Sequence, residues 1–222
     1  MHNSLLSRPV SIFILIFSAS LFASNHIAAR FAFDNGTGLI VAVLARSGMS
    51  LLFMLTIVFI NKSSLFIPAY LRKWQLSLGL LIAFQSLFLY KAITLIPVAM
   101  ALLLVNTWPM MFILASWALG KSQPKLPVLF MLLLILFGLF LVLDIDTSAA
   151  QESNWVVGML LAWLAAILLA SAMWITQYHL TELPGSVRSA YTMIGVLAVV
   201  CIVALFNVVP AGLSLPINAT GW

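Results

Sequence analysis

Charge is what this chain has least of. Only 7% of its 222 residues are Asp, Glu, Lys or Arg, 64% are hydrophobic, and the mean hydropathy is +1.19. A soluble domain carries about a quarter charged residues to face water, so the composition excludes a soluble protein and requires an integral membrane one. Cysteine is nearly absent too. The single Cys201 lies in an apolar run, which rules out an intramolecular disulfide and gives no basis for redox chemistry. The three histidines, His2, His26 and His179, are far apart and lack the spacing of metal ligands. Acids are missing where they would matter most: Asp34, Asp144, Asp146, Glu152 and Glu182 all lie at helix ends or in loops. The buried carboxylates of proton pumps and many proton-coupled carriers therefore have no counterpart within the apolar runs. No Ser/His/Asp grouping at a common depth, Gly-rich phosphate loop or intramembrane acid pair is present, so the sequence describes no enzyme, no cofactor and no metal centre. The net charge of +5 would suggest nucleic acid in a soluble protein. Here the basic residues fall between apolar runs, where the orientation rule for membrane loops accounts for them.

Long apolar runs are what the chain does have. Runs of roughly 18 or more such residues read as membrane-spanning helices. They predict spans over Pro9–Phe33, Gly38–Asn61, Trp74–Tyr90, Thr94–Leu119, Leu126–Leu143, Trp155–His179 and Arg188–Val209. The fold class is thus an all-α polytopic bundle of about seven transmembrane helices. Asp144–Asn154 is a polar link and the natural boundary between halves. The first run follows Arg8 but is too long for the apolar region of a signal peptide, and further spans succeed it, so it reads as an uncleaved first helix. With the N-terminus in the cytoplasm, inner segments carry Arg8, Lys62, Arg72, Lys73, Lys121, Lys125 and Arg188. Arg30, Lys91 and most of the acids then fall outside.

The stretch from Lys91 to Lys121 has no charge between its ends and a break at its middle, Asn106-Thr107-Trp108-Pro109. An interior proline removes a backbone hydrogen bond and frees a carbonyl. Lipid offers that carbonyl no partner, so the break should face protein or a wet cavity. Asn106 is expected to satisfy the freed carbonyl, to pair across helices, or to contact a ligand. Trp108 lies mid-membrane, unlike Trp155 at an interface where tryptophan is common.

Arg46 lies about two turns into the second helix. A charge at that depth faces a partner or a water-filled cavity, or else snorkels to the interface. His26 and Arg30 share a face of the first helix near its outer end, with Asn25 beside them. Tyr90 and Lys91 stand at the same outer level, and Gln85 lies deeper as a packing hydrogen-bonder. Trp174 and Gln177, three apart on the sixth helix, share a face. Candidate solute-binding residues are therefore Arg46, Asn106 and Trp108, then Tyr90, Trp174, Gln177, His26 and Arg30. A cavity lined by basic groups without acids favours anionic or zwitterionic solutes over cations. Small residues recur every four positions at Gly38, Ala42, Arg46 and Ser50 and at Gly158, Ala162, Ala166 and Ala170, a spacing that lets membrane helices approach closely.

Several stretches resemble the drug/metabolite transporter superfamily, specifically its EamA-type members. They are Ala23-Ser24-Asn25-His26-Ile27-Ala28-Ala29-Arg30 in the first helix, Leu44-Ala45-Arg46 in the second, and Leu87-Phe88-Leu89-Tyr90-Lys91-Ala92 leading to Ile96-Pro97-Val98-Ala99. Asn106-Thr107-Trp108-Pro109, Leu119-Gly120 and Gly138 follow in order. One departure is Gly120-Lys121-Ser122, where the family commonly has an acid. The resemblance implies two five-helix repeats of opposite orientation. On that plan residues 1–143 form the first repeat, 144–154 a linker, and 155–222 part of an inverted second repeat. Leu21-Phe22-Ala23-Ser24 is echoed by Leu168-Leu169-Ala170-Ser171, and the end at Trp222 reads as a truncation. The implied activity is alternating-access movement of small metabolites, such as amino acids, across the bacterial inner membrane, with a small-molecule solute and membrane lipid as partners and no nucleic acid. If the remaining helices are absent, transport calls for a partner chain in a homo- or hetero-oligomer. The competing readings are a non-transporting membrane subunit or truncated remnant of a carrier and, more remotely, an intramembrane enzyme acting on lipid.

Overall fold

The computed structural model describes residues 8–121, 123–142, 154–207, 209 and 212–215, and these are helical without a strand among them. The linker expected at Asp144–Asn154 lies outside the described residues except for Asn154. The helices are α1 (Arg8–Asp34), α2 (Leu39–Ile60), α3 (Ala69–Leu95), α4 (Val98–Val105), α5 (Trp108–Ala118), α6 (Leu126–Val142), α7 (Trp155–Tyr178) and α8 (Gly185–Leu205). Six stretches are long and apolar enough to cross a membrane, with Val98–Ala118 counted as one interrupted span and Leu126–Gly138 a shorter apolar helix.

The most deeply packed element is α3, which lies between α7 and α8, while α8 also packs on α2. Glycines set the closest approach. A Cβ on Gly195 would stand 3.1 Å from the Cα of Gly79, so α3 and α8 cross backbone to backbone. Beside that crossing, Gln75 Nε2 donates to the Arg188 carbonyl at 3.2 Å and to Thr192 Oγ1 at 3.1 Å. On α7 the stripe Gly158, Ala162, Ala166 and Ala170 is buried, which suits its packing against α3, α4 and α5. By contrast, α6 and the first half of α1 leave most of their large apolar side chains exposed, among them Phe13, Leu15, Phe130 and Leu134. Such surfaces belong against lipid.

Several boundaries differ from the sequence expectation, α8 among them, which runs Gly185–Leu205 rather than Arg188–Val209. The third helix does not span Trp74–Tyr90. It starts at Ala69, just after Pro68, and runs through Lys91 to Leu95. Lys91 looks like a terminus because it is charged, but its side chain is exposed and costs the helix nothing. The stop comes from Pro97, which disfavours helical geometry in the preceding residue. Ile96 is extended, with φ −134° and ψ 160°.

The expected Thr94–Leu119 helix is accordingly two shorter ones, α4 and α5, joined at Asn106-Thr107. Pro109 falls in the first turn of α5, where its missing N–H is harmless. The side-chain bond at the break comes from Thr107. Thr107 Oγ1 donates to the Leu104 carbonyl at 2.7 Å, because its short hydroxyl reaches back one turn. The Asn106 side chain is exposed instead. It borders a cavity of about 460 Å³ shared with Pro109, Met110 and residues of α6.

The start of α2 has no side-chain cap, and helix starts leave backbone N–H groups needing acceptors. The chain beyond α8 returns to provide them: the Gly212 carbonyl accepts from Ile40 N and Val41 N at 2.9 and 3.2 Å, and the Ser214 carbonyl from Gly38 N at 2.8 Å. Glycine suits position 212, because a Cβ there would lie 2.5 Å from Ile40 Cγ1. This clasp fixes the end of α2 that carries Arg46.

Candidate functional site

Arg46 projects from α2 toward α3. Its Nη2 donates to Ser86 Oγ at 2.7 Å, and its Cζ lies 5.3 Å from the centroid of the Tyr90 ring. Ser86 and Tyr90 are four apart on α3, so they share a face. Both are buried, Tyr90 to 2% exposure. Ser86 Oγ also donates to Gln85 Oε1 at 3.4 Å, which makes Gln85 part of the polar group. From α1, His26 and Phe33 present their rings edge-on to Tyr90 at 6.2 and 5.7 Å. Asn25 Nδ2 lies 3.5 Å from the Tyr90 hydroxyl, a long bond at best.

The electrostatics of this group are one-sided. Arg46 Nε is buried without an acceptor. Among the described residues the carboxylates are Asp34 and Glu182. Asp34 pairs with Arg30 at 3.1 Å, and Glu182 accepts from the Tyr70 hydroxyl at the far end of α3. The guanidinium therefore has a serine oxygen and an aromatic face, but no carboxylate. A face contact of this kind contributes about 0.5–2 kcal/mol.

Of the sequence candidates, the structure brings Arg46, Tyr90 and His26 together. Arg30 lies one turn beyond His26, where its Nη1 donates to the Ile93 carbonyl at 2.7 Å, an anchoring bond at the close of the helix. Asn106 opens toward α6, and Trp108 begins α5 half-buried. The sequence reading missed Ser86. Its i,i+4 relation to Tyr90 was the available signal.

Trp174 belongs to a second group, at the other end of α3. The His179 ring stacks on Trp74 with centroids 3.7 Å apart and planes 10° apart. Trp174 lies 5.1 Å from His179 and 5.4 Å from Tyr178, and Phe112 stacks on Tyr178 at 6.4 Å. Lys73 and Lys121 stand over Trp74 and Tyr178 at 5.4 and 5.9 Å. These rings tie α3, α5 and α7 into an aromatic clasp above a cavity of about 300 Å³, lined by Trp174, Trp74, Met111 and Ala170 among others. Gln177, three residues along α7 from Trp174, is exposed and does not share its surroundings.

Desolvation, and then the charges of Lys121 and Lys73, hold His179 below the usual imidazole pKa of 6.5. The unfolded chain then takes up a proton before the folded one does. The stack's contribution is full above pH 6.5 and falls as the pH drops below it. Thermal midpoints measured from about pH 8 to about pH 5 should fall more for the parent protein than for His179→Gln. Parallel curves would show that this imidazole is not strained in the fold.

A family model described as the EamA-like transporter family matches residues 9–144. The chain belongs to the EamA-like transporter family. The match covers α1 to α6 and so includes Arg46, Ser86, Tyr90 and the α4–α5 break. No curated protein and no solved structure matches the chain significantly. Family membership makes this protein a membrane transporter of the drug/metabolite type.

Proposed function

We propose that this EamA-like transporter moves small anionic or zwitterionic metabolites, amino acids among them, across a bacterial inner membrane by alternating access, and that Arg46 holds the anionic group. The observation that carries this reading is the half-buried guanidinium whose Nε is buried without an acceptor, with no carboxylate beside it among the described residues. A solute carboxylate supplies the missing acceptor in a charge-assisted, two-pronged hydrogen bond. Ser86 and Tyr90 hold the fork in place for it. His26 and Asn25 approach Tyr90 from α1.

The N-terminus is assigned to the cytoplasm, because Lys62, Arg72, Lys73, Lys121, Lys125 and Arg188 lie in or within a turn of the α2–α3, α5–α6 and α7–α8 connections. On that assignment the Arg46 group lies toward the outside and the aromatic clasp closes the inner end. We assign α7 and α8 to the opening of a second, inverted repeat.

Flux in proteoliposomes tests the proposal. Entry of a labelled neutral amino acid should be inhibited by unlabelled carboxylate-bearing solutes and unaffected by an amine of the same size without a carboxylate. Inhibition by the amine alone would overturn the anion assignment. Absence of all flux from correctly inserted protein that co-purifies with another membrane protein would favour a non-transporting subunit.

A further inference from the structure

The end of the bundle that carries Lys62, Arg72, Lys73, Lys121, Lys125 and Arg188 also bears a groove remote from Arg46. About 500 Å³ of space lies between α3, α8 and the segment leading into α3. The Gly79–Gly195 crossing makes its floor, since neither residue has a side chain to fill the furrow. Leu76, Ile194 and Ala198 border it and are exposed, and Phe66 stands at its side, 69% exposed. Arg72 lies at one end, in the first turn of α3. Its Nε donates to the Ile67 carbonyl at 3.2 Å, which tethers the guanidinium at the mouth and leaves its Nη groups for an outside acceptor. From Arg72 to Gly79 is about 10 Å along the helix axis, so the groove is cationic at the membrane surface and apolar toward the interior. The acid at this end, Glu182, is already engaged by Tyr70.

We infer that this groove is a binding site for an anionic phospholipid, with the phosphate on Arg72 and an acyl chain along the α3–α8 furrow. Charge complementarity selects that occupant. The gradient from cation to hydrocarbon follows the membrane normal, as a lipid's own chemistry does, and the basic residues around the mouth draw anionic headgroups to this leaflet. A zwitterionic lipid offers the same tails without the net charge. A second copy of this chain would present its own basic end to this one.

Native mass spectrometry of the full chain, purified from nanodiscs holding equal amounts of phosphatidylglycerol and phosphatidylcholine, tests the inference. The parent protein should retain phosphatidylglycerol about fivefold more than phosphatidylcholine, the worth of one basic side chain near the surface. Arg72→Gln, at an exposed position, should bring the ratio to about one while total bound lipid stays the same. Ala198→Phe, which fills the furrow from an exposed position on α8, should lower retention of both lipids. Equal retention by the parent protein, or a preference that survives Arg72→Gln, would overturn the inference. So would a parent dimer without lipid preference that Ala198→Phe turns into a monomer, since the groove would then be a contact between copies.

Discussion

Replacing Arg46 with methionine is expected to abolish solute flux and leave the protein as stable as before, or more so. Removing one partner of a buried, hydrogen-bonded charge pair costs about 2–5 kcal/mol. If a solute carboxylate is that partner, transport should fall by roughly thirtyfold to several thousandfold. The stability half of the prediction separates the functional reading from a structural one. An arginine that holds the fold together leaves partners unsatisfied when removed, and the protein loses stability. Here one side-chain bond, to Ser86 Oγ, is lost, and that hydroxyl keeps Gln85 Oε1 as a neighbour at 3.4 Å. Against this stands relief from half-burying a charge that has no carboxylate beside it among the described residues. Replacing buried ions with apolar side chains of similar volume is often neutral or stabilising, and binding sites commonly trade stability for function in this way.

Arg46→Lys sharpens the test. It keeps the charge but loses the planar fork that grips a carboxylate with two bonds, so flux should survive with an apparent affinity about tenfold weaker. Proteoliposome flux and thermal midpoints in detergent, measured on the same preparations, give both readings. A methionine variant that transports normally, or that loses several degrees of stability along with its flux, would remove Arg46 from the solute site.

Arg46 stood out in the sequence for a simple reason: a guanidinium inside an apolar run faces a partner or a wet cavity, or else snorkels to the interface. Ser86 was not, because a serine on a membrane helix can bond back to its own backbone, as Ser20, Ser24 and Ser171 do here. Only the packing of α2 against α3 gives Ser86 an arginine. The helices themselves were readable from hydropathy, and so was the break at Asn106-Thr107-Trp108-Pro109. That the side-chain bond there comes from Thr107 was not readable, because the sequence does not say whether the amide or the hydroxyl beside it will turn back onto the backbone.

The Ile96-Pro97 corner was present in the sequence as well, yet Lys91 drew the boundary away from it. Charge reports the membrane interface only when the side chain cannot reach it otherwise. Which helices meet was beyond the sequence altogether. Trp174 and Gln177 have the spacing to share a cavity, but neighbouring elements decide which part of the α7 surface is covered. They bury Trp174 Nε1 and leave Gln177 outside.

The crossing of α3 and α8 carries the largest expected effect on stability. A Cβ at Gly195 would stand 3.1 Å from Gly79 Cα, 3.6 Å from its carbonyl carbon and 4.0 Å from its oxygen. These are backbone atoms, so no rotamer change relieves the contact and the helices must separate. Gly195→Ala requires a shift of a few tenths of an ångström. Gly195→Leu adds atoms beyond that Cβ and is expected to destabilise by about 1–3 kcal/mol or more, the usual range for overpacking. The shift also pulls on the Gln75 bonds to Arg188 and Thr192 beside the crossing. Because α3 carries Ser86 and Tyr90 as well, flux should fall with stability.

The reciprocal change should be milder. A Cβ on Gly79 meets Gly195 Cα at 3.4 Å, close to ordinary contact, so Gly79→Ala should cost less than Gly195→Ala. At Gly48 and Gly138 an added methyl would meet nothing within 4 Å. Alanine there should be neutral or stabilising by about 0.5–1 kcal/mol, since it removes a backbone entropy cost from a helix interior. Thermal midpoints of the purified variants should therefore rank Gly48→Ala and Gly138→Ala at or above the parent, Gly79→Ala next, then Gly195→Ala, and Gly195→Leu lowest. If Gly195→Leu melts with the parent protein, α3 and α8 do not cross at these two glycines in the membrane.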